Sequence, residues 1–193
     1  FFALEGYIYL ESPDTNTPLV ISHRGVSNKN GVQNTVQSLE KTAQLKPDLI
    51  EMDVQETKDG QFVMMHDANL KSLARINATP QDLTLDELTN TDIYENGYQT
   101  KSSSFDAYLE RANALNQKLL IEIKTSKKDS PQMMDHFLEK YGTTIKKYGH
   151  QMQSLDYHVI DKVLAYDPEI PVYFILPYNS VFPRTKATGY TME

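Results

Sequence analysis

The chain has 193 residues, enough for one domain with a sizeable core. Its 19 basic and 26 acidic side chains give a net charge of −7, which disfavours nucleic acid as a main partner and suits bound divalent cations. With no cysteine, disulfides, thiolate zinc sites and cysteine nucleophiles are excluded, and no apolar run approaches the ~18 residues of a membrane-spanning helix.

Short β-branched runs alternate with helical patterns along the chain, the signature of an α/β fold. Residues 19–22 read as a first strand that runs into His23, Arg24 and Gly25. A loop with Asn28, Asn30 and Gly31 follows, then a helix over 35–46 with Val36, Leu39 and Ala43 on one face and Pro47 after its end. Residues 49–54 form a second strand and 62–65 a third. The turn at Thr57, Lys58, Asp59 and Gly60 between them is too short for a crossover helix, so they do not repeat a plain βαβ unit. Residues 68–104 are polar and read as an irregular insertion, with one short helical stretch near 85–88. A helix over 105–115 and an apolar strand over 118–124 come next. Ser130 and Pro131 have the form of a cap and first residue for a helix carrying Met134, Phe137, Leu138, Tyr141, Ile145 and Tyr148. Residues 150–155 are a fifth strand, Asp156 caps a helix with Val159, Ile160, Val163 and Leu164, and 171–176 are a sixth strand. Residues 177–193 show no clear period. Six strands alternating with helices suggest a barrel or a doubly wound sheet, and the lack of a glycine-rich phosphate loop disfavours a nucleotide-binding fold.

The chemistry lies where polar residues fall on these strands. Glu51 and Asp53 are two apart on an otherwise apolar strand, so both carboxylates share a face, and Glu122 and Lys124 repeat the pattern. His23 with Arg24, and His66 with Asp67, end two other strands. Each pair alone has an ordinary explanation: a solvated strand face, a buried ion pair, a core histidine, a turn. Together they place ionisable groups at or near the ends of four strand segments, where barrel active sites are built. Three carboxylates brought close together need a cation, and their oxygens suit a hard one such as Mg²⁺ or Ca²⁺. His136, His150 and His158 read as solvated or structural, and Met64 and Met65 as core.

These blocks carry a resemblance. Ile21 to Gly25, Gln33 to Thr35, Asp48 to Val54, Thr57 to Gly60, Val63 to Asp67 and Leu120 to Lys124 resemble, in order and spacing, the glycerophosphodiester phosphodiesterases, within the phosphatidylinositol-phospholipase-C-like barrels. The resemblance is strong over about 19–125 and general over 150–176. It implies a TIM-type (β/α)8 barrel and a metal-dependent hydrolysis of glycerophosphodiesters to glycerol 3-phosphate and an alcohol. It makes His23 and His66 the general acid and base, without saying which is which. It gives Glu51, Asp53 and Glu122 to a divalent cation, Mg²⁺ or Ca²⁺, and Arg24 and Lys124 to the substrate phosphate. Gln33 stands where the family usually has glutamate; it keeps the size and a hydrogen-bonding oxygen but loses the charge, which bears on any role of that position in metal binding or in pairing with Arg24.

A whole barrel of this type takes typically ~250 residues. Residues 1–193 are therefore expected to be a single barrel domain truncated at its C-terminal end, with about six strands and an open edge that an oligomer could cover. Some bacterial relatives fuse such a domain to membrane-spanning segments. The non-Met start and the aromatic Phe1, Phe2, Tyr7 and Tyr9 are compatible with a cut just beyond one, at the extracytoplasmic face of a bacterial membrane. The expected partner is a small glycerophosphodiester, not nucleic acid. Two other readings stay open: a non-catalytic domain binding phosphate-bearing lipid headgroups or cell-wall polymers at the same mouth, and a phospholipase-D-like enzyme acting on lysophospholipid or sphingomyelin.

Overall fold

The structure, a computed structural model, describes residues 7–12, 15–26 and 29–176. The expectations for Phe1, Phe2, Asn28 and 177–193 lie outside them. Strands β1 (Tyr7–Ser12), β2 (Thr15–Ser22), β3 (Leu49–Glu56), β4 (Phe62–Met64), β7 (Leu119–Ile123), β8 (Gln151–Ser154) and β9 (Val172–Phe174) form one sheet. Its path runs β1-β2-β3-β7-β8-β9, with β4 paired to β3. β2, β3, β7, β8 and β9 are parallel neighbours, while β1 and β4 pair antiparallel. Parallel neighbours need crossovers, and helices supply them. These are α1 (Val36–Ala43) before β3, α4 (Phe105–Ala114) before β7, α5 (Met133–Tyr148) before β8 and α6 (Tyr157–Tyr166) before β9.

β3 is buried at every position, so its two faces must meet different surroundings. Ile50, Met52 and Val54 join Leu119, Ile121 and Ile123 of β7 in the main core, packed on Leu39 of α1, Tyr108 and Leu109 of α4, and Phe137 and Ile145 of α5. The opposite face carries Leu49, which joins Ile21 and Leu120 in a small inner cluster, and above it Glu51 and Asp53. The register sets Asp53 beside Glu122, Glu122 beside Gln153, and Gln153 beside Tyr173, so one row of polar groups crosses four strands on the inner face.

Two expectations change. Residues 68–104 are folded rather than irregular. They form α2 (Lys71–Ala74), α3 (Leu85–Thr89) and a hairpin of β5 (Asp92–Glu95) with β6 (Tyr98–Lys101). Val63, Met65, Leu70, Leu73, Leu88 and Ile93 give this part its own apolar cluster. The hairpin turns on Asn96 and Gly97, both at positive φ (54° and 80°), as a tight strand reversal requires. Secondly, Ser130 does not cap α5, whose N-cap is Gln132. The Ser130 N–H and hydroxyl instead donate to the buried Glu56 carboxylate at 2.6 and 2.7 Å.

Candidate active site

β2 ends at Ser22 and the chain turns through a 3-10 segment, His23–Gly25. Arg24 takes a left-handed conformation there (φ 57°). That conformation aims its N–H at Glu51 Oε2, 2.9 Å away. Gly25 has φ +65°, and the Tyr108 hydroxyl lies 2.7 Å from where a Cβ would stand. β4 runs antiparallel to β3, and the Met65 N–H donates to the Asp53 carbonyl at 3.1 Å. This hairpin return, rather than a parallel strand end, brings the chain at His66 back alongside β3.

Glu51, Asp53 and Glu122 come together as expected, each offering an oxygen within 4.8 Å of the others. All three are buried. Asn34, at φ 55°, clamps Asp53: its Nδ2 donates to Oδ2 at 2.9 Å and its Oδ1 accepts from the Asp53 N–H at 3.1 Å. Gln153 Nε2 donates to Glu122 Oε2 at 3.1 Å. Lys124 Nζ pairs with Glu122 Oε1 and lies 3.2 Å from Asp53 Oδ1. That second approach is an ion pair without hydrogen-bond alignment, since Asp53 Oδ1 has no hydrogen-bond partner. Glu51 Oε1 is likewise buried and unpartnered.

The electrostatics follow. Burial raises the Glu51 pKa well above the ordinary carboxylate value, and Asp53 and Glu122 raise it further. Burial works against the Lys124 charge, but Asp53 and Glu122 outweigh it and hold its pKa high. His23 is pushed down by burial, then by the Arg24 charge. Its Nε2 accepts from Arg24 Nε at 3.3 Å, the bond a neutral imidazole makes. His66 Nδ1 pairs with Asp67 Oδ1 at 2.8 Å. His66, Asp67, Asn69, Lys71 and Asn77 line an open depression of about 610 Å³.

The arrangement stands in a known family. Residues 23–178 match the glycerophosphoryl diester phosphodiesterase family. The chain belongs to it. A glycerophosphodiester phosphodiesterase of Caldanaerobacter subterraneus is 40% identical over 74 residues, covering 38% of this chain and 30% of that protein. Human lysophospholipase D is 27% identical over 171 residues, covering 81% and 51%. The fold superposes on an Oleispira antarctica phosphodiesterase solved with sn-glycerol-3-phosphate, at TM-score 0.70 and 20% identity over 88% of this chain and 70% of that one. The expected TIM-type (β/α)8 class therefore stands, represented by its parallel strands and outer helices. The chain spans about half or less of the length of these two sequence relatives.

The donor set fits a hard divalent cation. Three buried carboxylates converge, Glu51 Oε1 has no partner and Asp53 Oδ1 has only the Lys124 ion pair, and the ligand atoms are all oxygen. Sequence reasoning gave no part to Asn34, Gln153 or Glu95. Asn34 lay within a recognised block and Gln153 at the right strand period. Glu95 had no local signal.

Proposed function

We propose that this site hydrolyses glycerophosphodiesters to glycerol 3-phosphate and an alcohol, with a divalent cation, Mg²⁺ or Ca²⁺, held by Glu51, Asp53 and Glu122. The observation that carries the reading is the buried carboxylate triad, with Glu51 Oε1 unpartnered, set beside His23, Arg24 and Lys124. A bound cation would offset the charge that makes a phosphodiester resist nucleophiles. Arg24 and Lys124 add positive charge on the same side and orient the phosphate. One histidine accepts the proton of the attacking glycerol hydroxyl as it closes on phosphorus, and the other protonates the departing alcohol oxygen. Water then opens the cyclic phosphate. The depressed His23 pKa keeps that imidazole neutral at physiological pH, the form able to accept a proton.

A lysophospholipid substrate is the second reading. It is supported by the similarity to a lysophospholipase D and by Leu155 and Tyr157, exposed just past the end of β8. A coupled assay over glycerophosphocholine, other glycerophosphodiesters and lysophosphatidylcholine separates the two. His23→Ala and His66→Ala should each lower kcat at least ~100-fold with the fold intact by circular dichroism. Chelation should abolish turnover, and Mg²⁺ or Ca²⁺ should restore it. Full turnover in excess chelator removes the metal from the reading. A folded chain that binds glycerol 3-phosphate but turns over none of the panel leaves a binding domain.

A further inference from the structure

The part of the chain that reads as an irregular insertion reaches into the site. Its β5–β6 hairpin touches the loop before α1 at two points. Asn96 Nδ2 donates to the Gly31 carbonyl at 3.0 Å. The Glu95 carboxylate grips Gln33 with both oxygens, accepting from the Gln33 N–H at 2.7 Å and from Nε2 at 2.6 Å. Gln33 Oε1 in turn accepts from Arg24 Nη1 at 3.0 Å.

We propose that Glu95 is a positioning residue for Arg24, acting through Gln33. The inference rests on the reading of Arg24 as a phosphate contact. A primary amide has a donor end and an acceptor end that differ little in shape, so its direction is set by its partners. A carboxylate only accepts hydrogen bonds, and a guanidinium only donates. Placed between the two, the Gln33 amide satisfies both in one orientation only, with Nε2 toward Glu95 and Oε1 toward Arg24. Without Glu95 only the Arg24 guanidinium itself favours that direction, and the Gln33 N–H and Nε2 lose their acceptor. Glu95 also supplies a negative charge one residue removed from Arg24, where Gln33 itself has none. Gln33 is buried, so solvent does not readily replace either bond. The other polar tethers of Arg24 hold its backbone, through Glu51 on the N–H and the Asn34 N–H on the carbonyl at 2.9 Å, and its Nε, which donates to His23 Nε2 at 3.3 Å and lies 4.0 Å from Asp53 Oδ2. They fix the Nε side of the guanidinium and leave Nη1 to the Gln33 amide.

The test uses a charge swap, read by KM and kcat for glycerophosphocholine and by calorimetric Kd for sn-glycerol 3-phosphate, with divalent metal present. Glu95→Ala is expected to raise KM and Kd by ~10-fold, the scale of a charge-assisted hydrogen bond, with a smaller change in kcat. The swap Gln33→Glu with Glu95→Gln puts the carboxylate directly against Arg24 and a donor behind it. It is expected to bring both values back to within ~3-fold of the parent. In an Arg24→Ala background, Glu95→Ala should add nothing. An unchanged KM in Glu95→Ala, beside a raised KM in Arg24→Ala, overturns the inference. So does an undiminished Glu95→Ala effect in the Arg24→Ala background, or a folded swap variant that stays as impaired as Glu95→Ala. Unchanged KM and Kd in Arg24→Ala overturn the phosphate reading of Arg24 itself.

Discussion

Burying Glu51 beside Asp53 and Glu122 destabilises the metal-free fold. Its pKa is raised first by desolvation and then by the two neighbouring charges. A carboxyl with a raised folded pKa binds its proton more tightly folded than unfolded. Stability therefore falls as pH rises from the unfolded value toward the folded one. The penalty grows as pH rises toward the folded pKa, and it is relieved when a cation neutralises the site. Glu51→Gln keeps an oxygen for the Arg24 N–H and removes the charge. In excess chelator this variant should be more stable than the parent by about 1 kcal/mol or more, read by urea unfolding. The parent should gain melting temperature on addition of Ca²⁺ or Mg²⁺, and the variant should gain little. A variant less stable than the parent in chelator would show that Glu51 serves the fold and not the metal.

At the level of elements, the 3-10 turn after β2 depends on Gly25. Its φ of +65° is open to glycine and strained for other residues, and an added Cβ would meet the Tyr108 hydroxyl at 2.7 Å. Gly25→Ala should cost about 2 kcal/mol and lower kcat/KM, because the same turn holds His23 and Arg24. Tyr108→Phe in the same chain relieves the contact but not the φ strain, so it should recover part of the loss. Full recovery would assign the whole effect to the contact. The central strands were legible because their signal is local: Glu51-x-Asp53 and Glu122-x-Lys124 obey a period of two within apolar runs. The insertion was not legible as folded structure. Its apolar residues, Leu70, Leu73, Leu88 and Ile93, keep no single period because they come from short elements that pack on Val63 and Met65 of the neighbouring hairpin. Asn96-Gly97 is a local turn signal that the reading as an irregular insertion passes over, and it marks the hairpin that the structure shows. The Glu95 contact spans 62 residues of sequence, and no local pattern encodes it. Ser130 failed as a helix cap for a similar reason, since the buried Glu56 carboxylate 74 residues away takes both of its donors.

Across the whole molecule the two ends of the parallel strands divide the work. The carboxyl side carries the charged site, and the amino side is tied by a neutral histidine. His150, just before β8, accepts the Leu119 N–H at Nδ1 (3.1 Å), and its Nε2 pairs with Asn113 Oδ1 of α4 at 2.8 Å. An amide donor facing Nδ1 fixes the Nε2–H tautomer, so a second proton has no place. Burial, then the Lys118 charge, lowers the His150 pKa from 6.5 to about 4. The depressed value means that the unfolded chain takes up a proton that the folded chain refuses. The contribution to stability is full above 6.5 and is lost as pH falls from 6.5 toward 4. Its full size is on the order of 3 kcal/mol. Glu51 pulls the other way as pH falls, so the slope of the parent alone does not isolate the histidine. The difference between parent and His150→Gln does. Urea midpoints at about pH 5 and about pH 7, in chelator, should converge as pH falls, with the parent losing more than the variant. Parallel slopes for the two proteins would mean that His150 titrates alike folded and unfolded, and that the amino-side tie is not a source of pH sensitivity.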